Sequence, residues 1–403
     1  MESPKSINPL SLKSTLTLRY DISQKPILPK LEWTDFSNTS NVSIDTLENL
    51  IEKSILNSVN GIEPKKIAIS LSGGIDSSLV LLFLKKVLPN SSIKAFSIKF
   101  ADSVDETPRS KEIANHFDVS HEIISVDDYF KKLPLVISQS GLPFWDIHWY
   151  YVAEKVKSYS NFLASGDGGD ELFGGYTFRY SKFLKLVNST STPLDKVKAY
   201  LQCHERDHVP DQTALFGKKS HFDWSEIYQF LVPYFDNSLD LLEQVFLADY
   251  NGKLLYNFSI FNSNILESLN INPLTPLISK EIIYASLRIP SNQKYDSTNN
   301  TGKLPLRNIL HKYKIMHLID NQKLGFSVNT INLWKKSGKE ICKQFLIDSN
   351  LVKQSWISKD WILSNIDKKD LETRYVNKFF GLLAFEIWYR INITHEMSGN
   401  ENI

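Results

Sequence analysis

Cysteine is nearly absent: Cys203 and Cys342 are the only two in 403 residues, too few for a disulfide framework. A charge excess is missing too. With 46 Lys and Arg against 45 Asp and Glu, the formal net charge is +1, and no electrostatic reason exists to expect nucleic acid or an anionic membrane as principal partner. Long hydrophobic runs are also lacking. The best, Phe379 to Trp388, carries Glu386 and falls short of the ~20 residues of a membrane span, so it reads as a buried helix. The opening Met1-Glu-Ser-Pro-Lys-Ser has no apolar core of a signal peptide. These absences predict a cytoplasmic chain, and make the sequons at Asn38 and Asn41 chance occurrences.

What is present suffices for a large core. Hydrophobic residues make up 42% of the chain, and its length suggests two domains or one with a large helical extension. From Lys65 onward, strand-like runs Ile67 to Leu71, Ile93 to Ile98, His121 to Val126 and Phe162 to Ala164 alternate with helical patterns near 75–88, 108–117, 127–138 and 146–158. Such alternation predicts a doubly wound, mostly parallel α/β sheet. Residues 1–60 read as an extension with β-prone runs such as Leu16 to Tyr20 and a helix over Ile44 to Leu56. The expected division is a 61–180 core, a mostly helical 181–395 lobe and a disordered 396–403 tail.

Ile67-Ala-Ile-Ser-Leu-Ser-Gly-Gly-Ile-Asp-Ser-Ser-Leu-Val80 is the most informative stretch. Two glycines let backbone N–H groups turn toward an anion, the Ser72, Ser77 and Ser78 hydroxyls add donors, and the next helix offers its positive N-terminus. Asp76 would repel bare phosphate, so a bridging cation is implied, Mg²⁺ being the natural one for oxygen ligands. A strand-to-helix turn with a capping Asp is the plainer alternative. A second apolar run, Phe162-Leu-Ala-Ser-Gly-Asp-Gly-Gly-Asp-Glu-Leu-Phe-Gly-Gly-Tyr176, ends the same way. In a doubly wound sheet both turns can face one crevice beyond the strands' carboxyl ends, with Asp76 and Asp170 sharing the metal.

Ser72 to Ser77 resembles the PP-loop of ATP pyrophosphatases, and Ser165 to Tyr176 resembles the signature of the asparagine synthetase synthase domain, found in looser form in β-lactam and carbapenam synthetases. Further pieces follow in order: Ala95 to Ile98, which resembles the strand touching adenine, then Asp105-Glu106, Lys303 to Arg307, and Lys323-Leu324-Gly325-Phe326, which resembles the catalytic-lysine segment. The resemblance covers about residues 60 to 335. It implies a PP-loop, adenine-nucleotide alpha-hydrolase-like fold that binds ATP and Mg²⁺. It places Leu71, Ser72, Gly73, Gly74, Asp76, Ser77, Ile98, Ser165 and Gly166 around the nucleotide, Asp76 and Asp170 on the metal, and Lys323 at the reacting phosphate and oxyanion. Asp167 stands where asparagine synthetases carry a carboxylate and lactam-forming enzymes a tyrosine; it either takes a proton from the attacking ammonium or caps its turn. Glu171 and Tyr176 are expected behind the metal-binding groups, and Asp105 near a nucleotide hydroxyl.

Family members that use glutamine resemble N-terminal-nucleophile hydrolases with a cysteine directly after the initiator methionine. Here that residue is Glu2, and roughly 60 residues precede the PP-loop where a glutaminase domain needs about 200. The expectation is an ATP-dependent amide-forming ligase acting on a small carboxylate, aspartate first, with nitrogen from ammonia, an amine or a separate glutaminase subunit. The family's Asp-Arg pair and Glu-Ala-Arg-Val-Pro-like segment are replaced by Phe261-Asn-Ser-Asn-Ile-Leu and Leu274-Thr-Pro-Leu-Ile278. Losing an arginine, the natural bidentate carboxylate clamp, leaves another carboxylate as the alternative, and a non-catalytic nucleotide-binding relative as a third. Transfer-RNA thiolation is disfavoured, since neither cysteine lies near the loop. Cys203, His204 and His208 offer three zinc candidates where structural sites need four, so a polar helix face is the expected reading.

Overall fold

A computed structural model describes residues 6–36, 42–100, 105, 107–319 and 329–403. Five strands, β1 (Lys66–Ser70), β2 (Ser92–Phe100), β3 (Ser120–Val126), β4 (Phe162–Ala164) and β5 (Asn272–Leu274), form one sheet in the order β3-β2-β1-β4-β5. Every pairing is parallel, with Ile67 opposite Ile93, Ala68 opposite Leu163 and Leu163 opposite Pro273. Strand order therefore reverses between β1 and β4, and a doubly wound sheet opens its ligand crevice at that point.

Side chains alternate across the sheet and bury both faces. Ile67, Ile69 and Ala95 join the core with helices Ile44–Ser58 and Ile75–Val87. Ala68, Phe96, Ile98 and Leu163 join the opposite core with helices Leu133–Ser140, His148–Val156 and Thr373–Asn392. Two covered faces explain why these strands read as near-continuous apolar runs. Glu386 inside the long last helix is fully buried and accepts hydrogen bonds from the Asn350 and Leu351 N–H groups and from Arg390 Nε.

Four local expectations change. Leu16 to Leu18 belongs to a helix, Pro9–Leu18, and not to a strand. Asn8 caps that helix by accepting from the Leu10 N–H, Pro9 sits in its first turn, and Leu12 and Leu16 face the core four residues apart. β5 lies beyond Tyr176, where strand signals fade. It is three residues long and contains Pro273, which an edge strand tolerates. The tail is placed against the protein, with Met397 buried. The Cys203 to His208 stretch is less polar than expected: Cys203 is buried and His204 Nδ1 donates to the Tyr200 carbonyl at 2.8 Å. Among the described residues no group of three or more His, Cys, Asp and Glu side chains gathers as a metal site, and no helix is long and apolar enough to cross a membrane.

Candidate active site

After β1 the chain holds one more sheet bond, from the Leu71 N–H to the Phe96 carbonyl at 2.9 Å. The Ser97 hydroxyl donates to the Leu71 carbonyl at 2.5 Å and pins the turn's first residue. Gly73 then reverses the chain, and helix Ile75–Val87 begins. The Ser72 and Ser77 hydroxyls lie 3.1 Å apart across the turn, and Ser77 Oγ also accepts from the Ser72 N–H. The result is a cradle of N–H groups and hydroxyls at a helix N-terminus, suited to an anion.

The β4 turn closes on this cradle. A Cβ on Gly166 would stand 2.6 Å from Asp76 Cβ and 2.9 Å from the Ser77 N, so only glycine lets the two turns meet. Gly166→Ala is expected to cost about 1–3 kcal/mol, read by denaturant unfolding, and to weaken ATP binding in the same titration series. Gly175 is under a similar constraint, since its Cβ would overlap the Asp170 carboxylate.

Asp76 and Asp170 both reach the Lys303 ammonium, which contacts Asp76 Oδ2 and lies 2.8 Å from Asp170 Oδ1. The Lys303 N–H donates to the Phe173 carbonyl at 3.0 Å, fixing the segment against the second turn. Burial by itself would lower the Lys303 pKa; the Asp170 and Asp76 charges raise it above the ordinary lysine range, so the ammonium stays charged. Two carboxylates converging on one cation form the donor set Mg²⁺ takes, so these residues fit the metal inferred from the sequence.

Around this point lies a cleft of about 850 Å³, near the top of the range for ligand sites. Ser72, Gly73, Gly74, Asp76, Ser77, Asp105, Ser165, Gly166, Asp167, Asp170, Glu171 and Tyr176 all line it. Leu71 and Ile98 do not; both are buried beneath the strand ends. Lys323, with its flanking Leu324 to Phe326, and Glu106 lie outside the described residues. Asp105 is tied to Lys99 at 2.6 Å and to Thr107, and these bonds hold its carboxyl down at about 2. Tyr176 donates to Glu171 Oε1 at 2.5 Å.

At the far end, Asp167 accepts from Ser165 Oγ and from Asn262 Nδ2, each at 3.0 Å. Burial pushes its carboxyl above the ordinary range. His148 lines the same end, with Nδ1 2.8 Å from Asp146 Oδ1. Burial would lower the imidazole's pKa, but the charge and hydrogen bond of Asp146, followed by the charge of Asp167, raise it. Its folded value therefore exceeds the unfolded value of about 6.5. The stabilisation from this pair is complete below that pH and fades as pH rises through the folded value. Asp146→Asn is expected to bring the His148 titration back down and to erase that part of the pH dependence of stability, as followed by NMR of labelled histidine and by thermal melts.

Sequence reasoning gave no role to Lys303, Arg109, Arg307, His148 or Trp149, all of which line the cleft. Lys303 to Arg307 was visible as a segment in the right order. His148 carried no signal beyond its place near the start of a helix, because its partners come from elsewhere in the chain.

Residues 48–390 match the family described as asparagine synthase. A curated relative, asparagine synthetase [glutamine-hydrolyzing] 1 of Bacillus subtilis, is 26% identical over 361 residues, covering 80% of this chain and 56% of that protein. A putative asparagine synthetase [glutamine-hydrolyzing] 2 of Methanocaldococcus jannaschii is 34% identical over 139 residues, 30% of this chain and 26% of that protein. The chain spans about half the length of most of the curated relatives it matches. Among solved structures, an NMN synthetase from Francisella tularensis aligns over 52% of this chain and 94% of its own, at 15% identity and a TM-score of 0.29.

Proposed function

Because this chain belongs to the asparagine synthase family, we propose that it is an ATP-dependent amide-forming ligase that joins a carboxylate to ammonia or another amine through an acyl-adenylate. The observation that carries this reading is the convergence of Asp76 and Asp170 on one cation at the lip of the Ser72 to Ser77 cradle.

The substrate carboxylate oxygen attacks the α-phosphorus of ATP, a C–O–P linkage forms, and the bond to pyrophosphate breaks. The amine nitrogen then attacks the acyl carbon, the C–O bond to AMP breaks, and the nitrogen loses a proton. The cradle's N–H groups and the Ser72 and Ser77 hydroxyls hold the phosphates, and the Lys303 ammonium balances their charge. Mg²⁺ held by Asp76 and Asp170 would neutralise the departing pyrophosphate. Asp167, raised by burial, stands at the other end as the acceptor for the amine's proton. Lys323 is assigned to the reacting phosphate and the tetrahedral oxyanion by its place in the sequence.

The test is pyrophosphate release from ATP and Mg²⁺ with aspartate and ammonium, with aspartate and glutamine, with other carboxylates, and with none. Release that depends on a carboxylate and yields AMP is the expected result, whereas hydrolysis to ADP and phosphate would end this reading. Lys323→Ala is expected to lower release by about 10²-fold or more with little change in ATP affinity by calorimetry.

A further inference from the structure

The two ends of the cleft differ in charge and polarity. Among the described lining residues the permanent cations are Arg109, Lys303 and Arg307, and all three lie at the phosphate end. Arg109 Cγ lies 3.2 Å from where a Cβ on Gly73 would stand, Lys303 is held between Asp76 and Asp170, and Arg307 feels the Asp76 charge. The Asp167 end is walled by Trp149, Leu254 and Phe258. Leu254 and Phe258 lie on the helical stretch Tyr250–Phe258, which runs into helix Ser259–Ser268, whose Asn262 holds Asp167. Phe258 stands four residues before Asn262, one helical turn, which brings its ring toward the Asp167 carboxylate.

Trp149, 7% exposed, lines the cleft beside His148. An apolar acyl body at this end would bury against these side chains. An α-carboxylate at this end would instead meet Asp167, with no arginine or lysine among the described lining residues to clamp it. The ionisable groups facing this end are His148, already paired with Asp146, and Asp167 itself, with Arg19 behind Asp146 at 3.7 Å.

We propose that the acyl end of this cleft takes a carboxylate carried on an apolar body, such as an aryl- or alkyl-substituted acid, and not an α-amino dicarboxylate such as aspartate. The inference rests on the adenylation reading above. Asp167 is then left to attract the incoming ammonium or amine.

Calorimetric titration of the full chain with stable acyl-adenylate mimics tests it without requiring turnover. The probes are phenylacetyl-sulfamoyl-adenosine, aspartyl-sulfamoyl-adenosine and unacylated sulfamoyl-adenosine, with Mg-ATP alongside. The phenylacetyl compound is expected to bind about 10- to 200-fold tighter than the unacylated one, and the aspartyl compound no tighter. Phe258→Ala should remove most of that gain, and the milder Phe258→Leu about half, with Mg-ATP affinity retained in both. Tighter binding of the aspartyl compound would overturn the proposal, as would equal binding of all three. If Mg-ATP itself does not bind, the adenylation reading fails and takes this inference with it.

Discussion

Lys303→Ala loses about 3–5 kcal/mol of stability and nearly all pyrophosphate release. Lys303 is 7% exposed and has a carboxylate on each side. Removing it leaves two like charges facing each other in a poorly hydrated place, and breaking a buried pair from one side costs about that much. The same substitution frees the best oxygen donors in the cleft. Mg²⁺ is therefore expected to raise the melting temperature of Lys303→Ala clearly more than that of the unaltered chain, and Asp170→Asn in the same background should cancel the difference. Equal Mg²⁺ response in both proteins would show that Asp76 and Asp170 do not act as a metal pair. Lys303→Arg is expected to recover stability in part, because guanidinium keeps the charge, but not activity, because its planar fork does not replace a point charge between two carboxylates.

The second large effect lies beneath the signature turn. The Arg179 guanidinium stacks 3.6 Å from the centroid of the Tyr176 ring, lies 2.9 Å from Asp249 Oδ1 and also contacts His204 Nε2. The Tyr200 hydroxyl donates to the same Asp249 oxygen at 2.9 Å. Burial pushes the Asp249 carboxyl up, and the Arg179 charge opposes that. Arg179→Ala should then cost about 3–5 kcal/mol, because a buried carboxylate is left without its cation. Adding Asp249→Asn is expected to return part of the loss, and a double-mutant cycle by urea unfolding measures how much. Tyr176 bonds Glu171 beside Asp170, so loosening Arg179 is also expected to reduce ATP affinity in the folded fraction.

How far the chain could be read depended on whether each signal was local. β1 to β4 and their helices appear in the sequence as apolar runs punctuated by glycine, and observed ends lie within about two residues for most elements, with the helix at Leu133–Ser140 starting later than its pattern suggested. Pro9–Leu18 was misread because a β-prone composition outweighed its Asn8 cap and the four-residue spacing of Leu12 and Leu16. β5 could not be read at all: three residues including a proline carry no strand pattern, and only pairing with β4 makes them one.

The site divides along the same line. Sequence alone determined the two glycine turns, the serine hydroxyls and the pair Asp76 and Asp170, because a cradle suited to an anion is built from consecutive backbone groups and is written in short motifs. Only the tertiary structure decided that the two turns meet where β1 and β4 part, that the cation between the carboxylates is Lys303 from more than a hundred residues away, and that Trp149, Leu254 and Phe258 line the same cleft. Those choices depend on long-range packing, which places side chains together without leaving any periodicity or spacing in the chain.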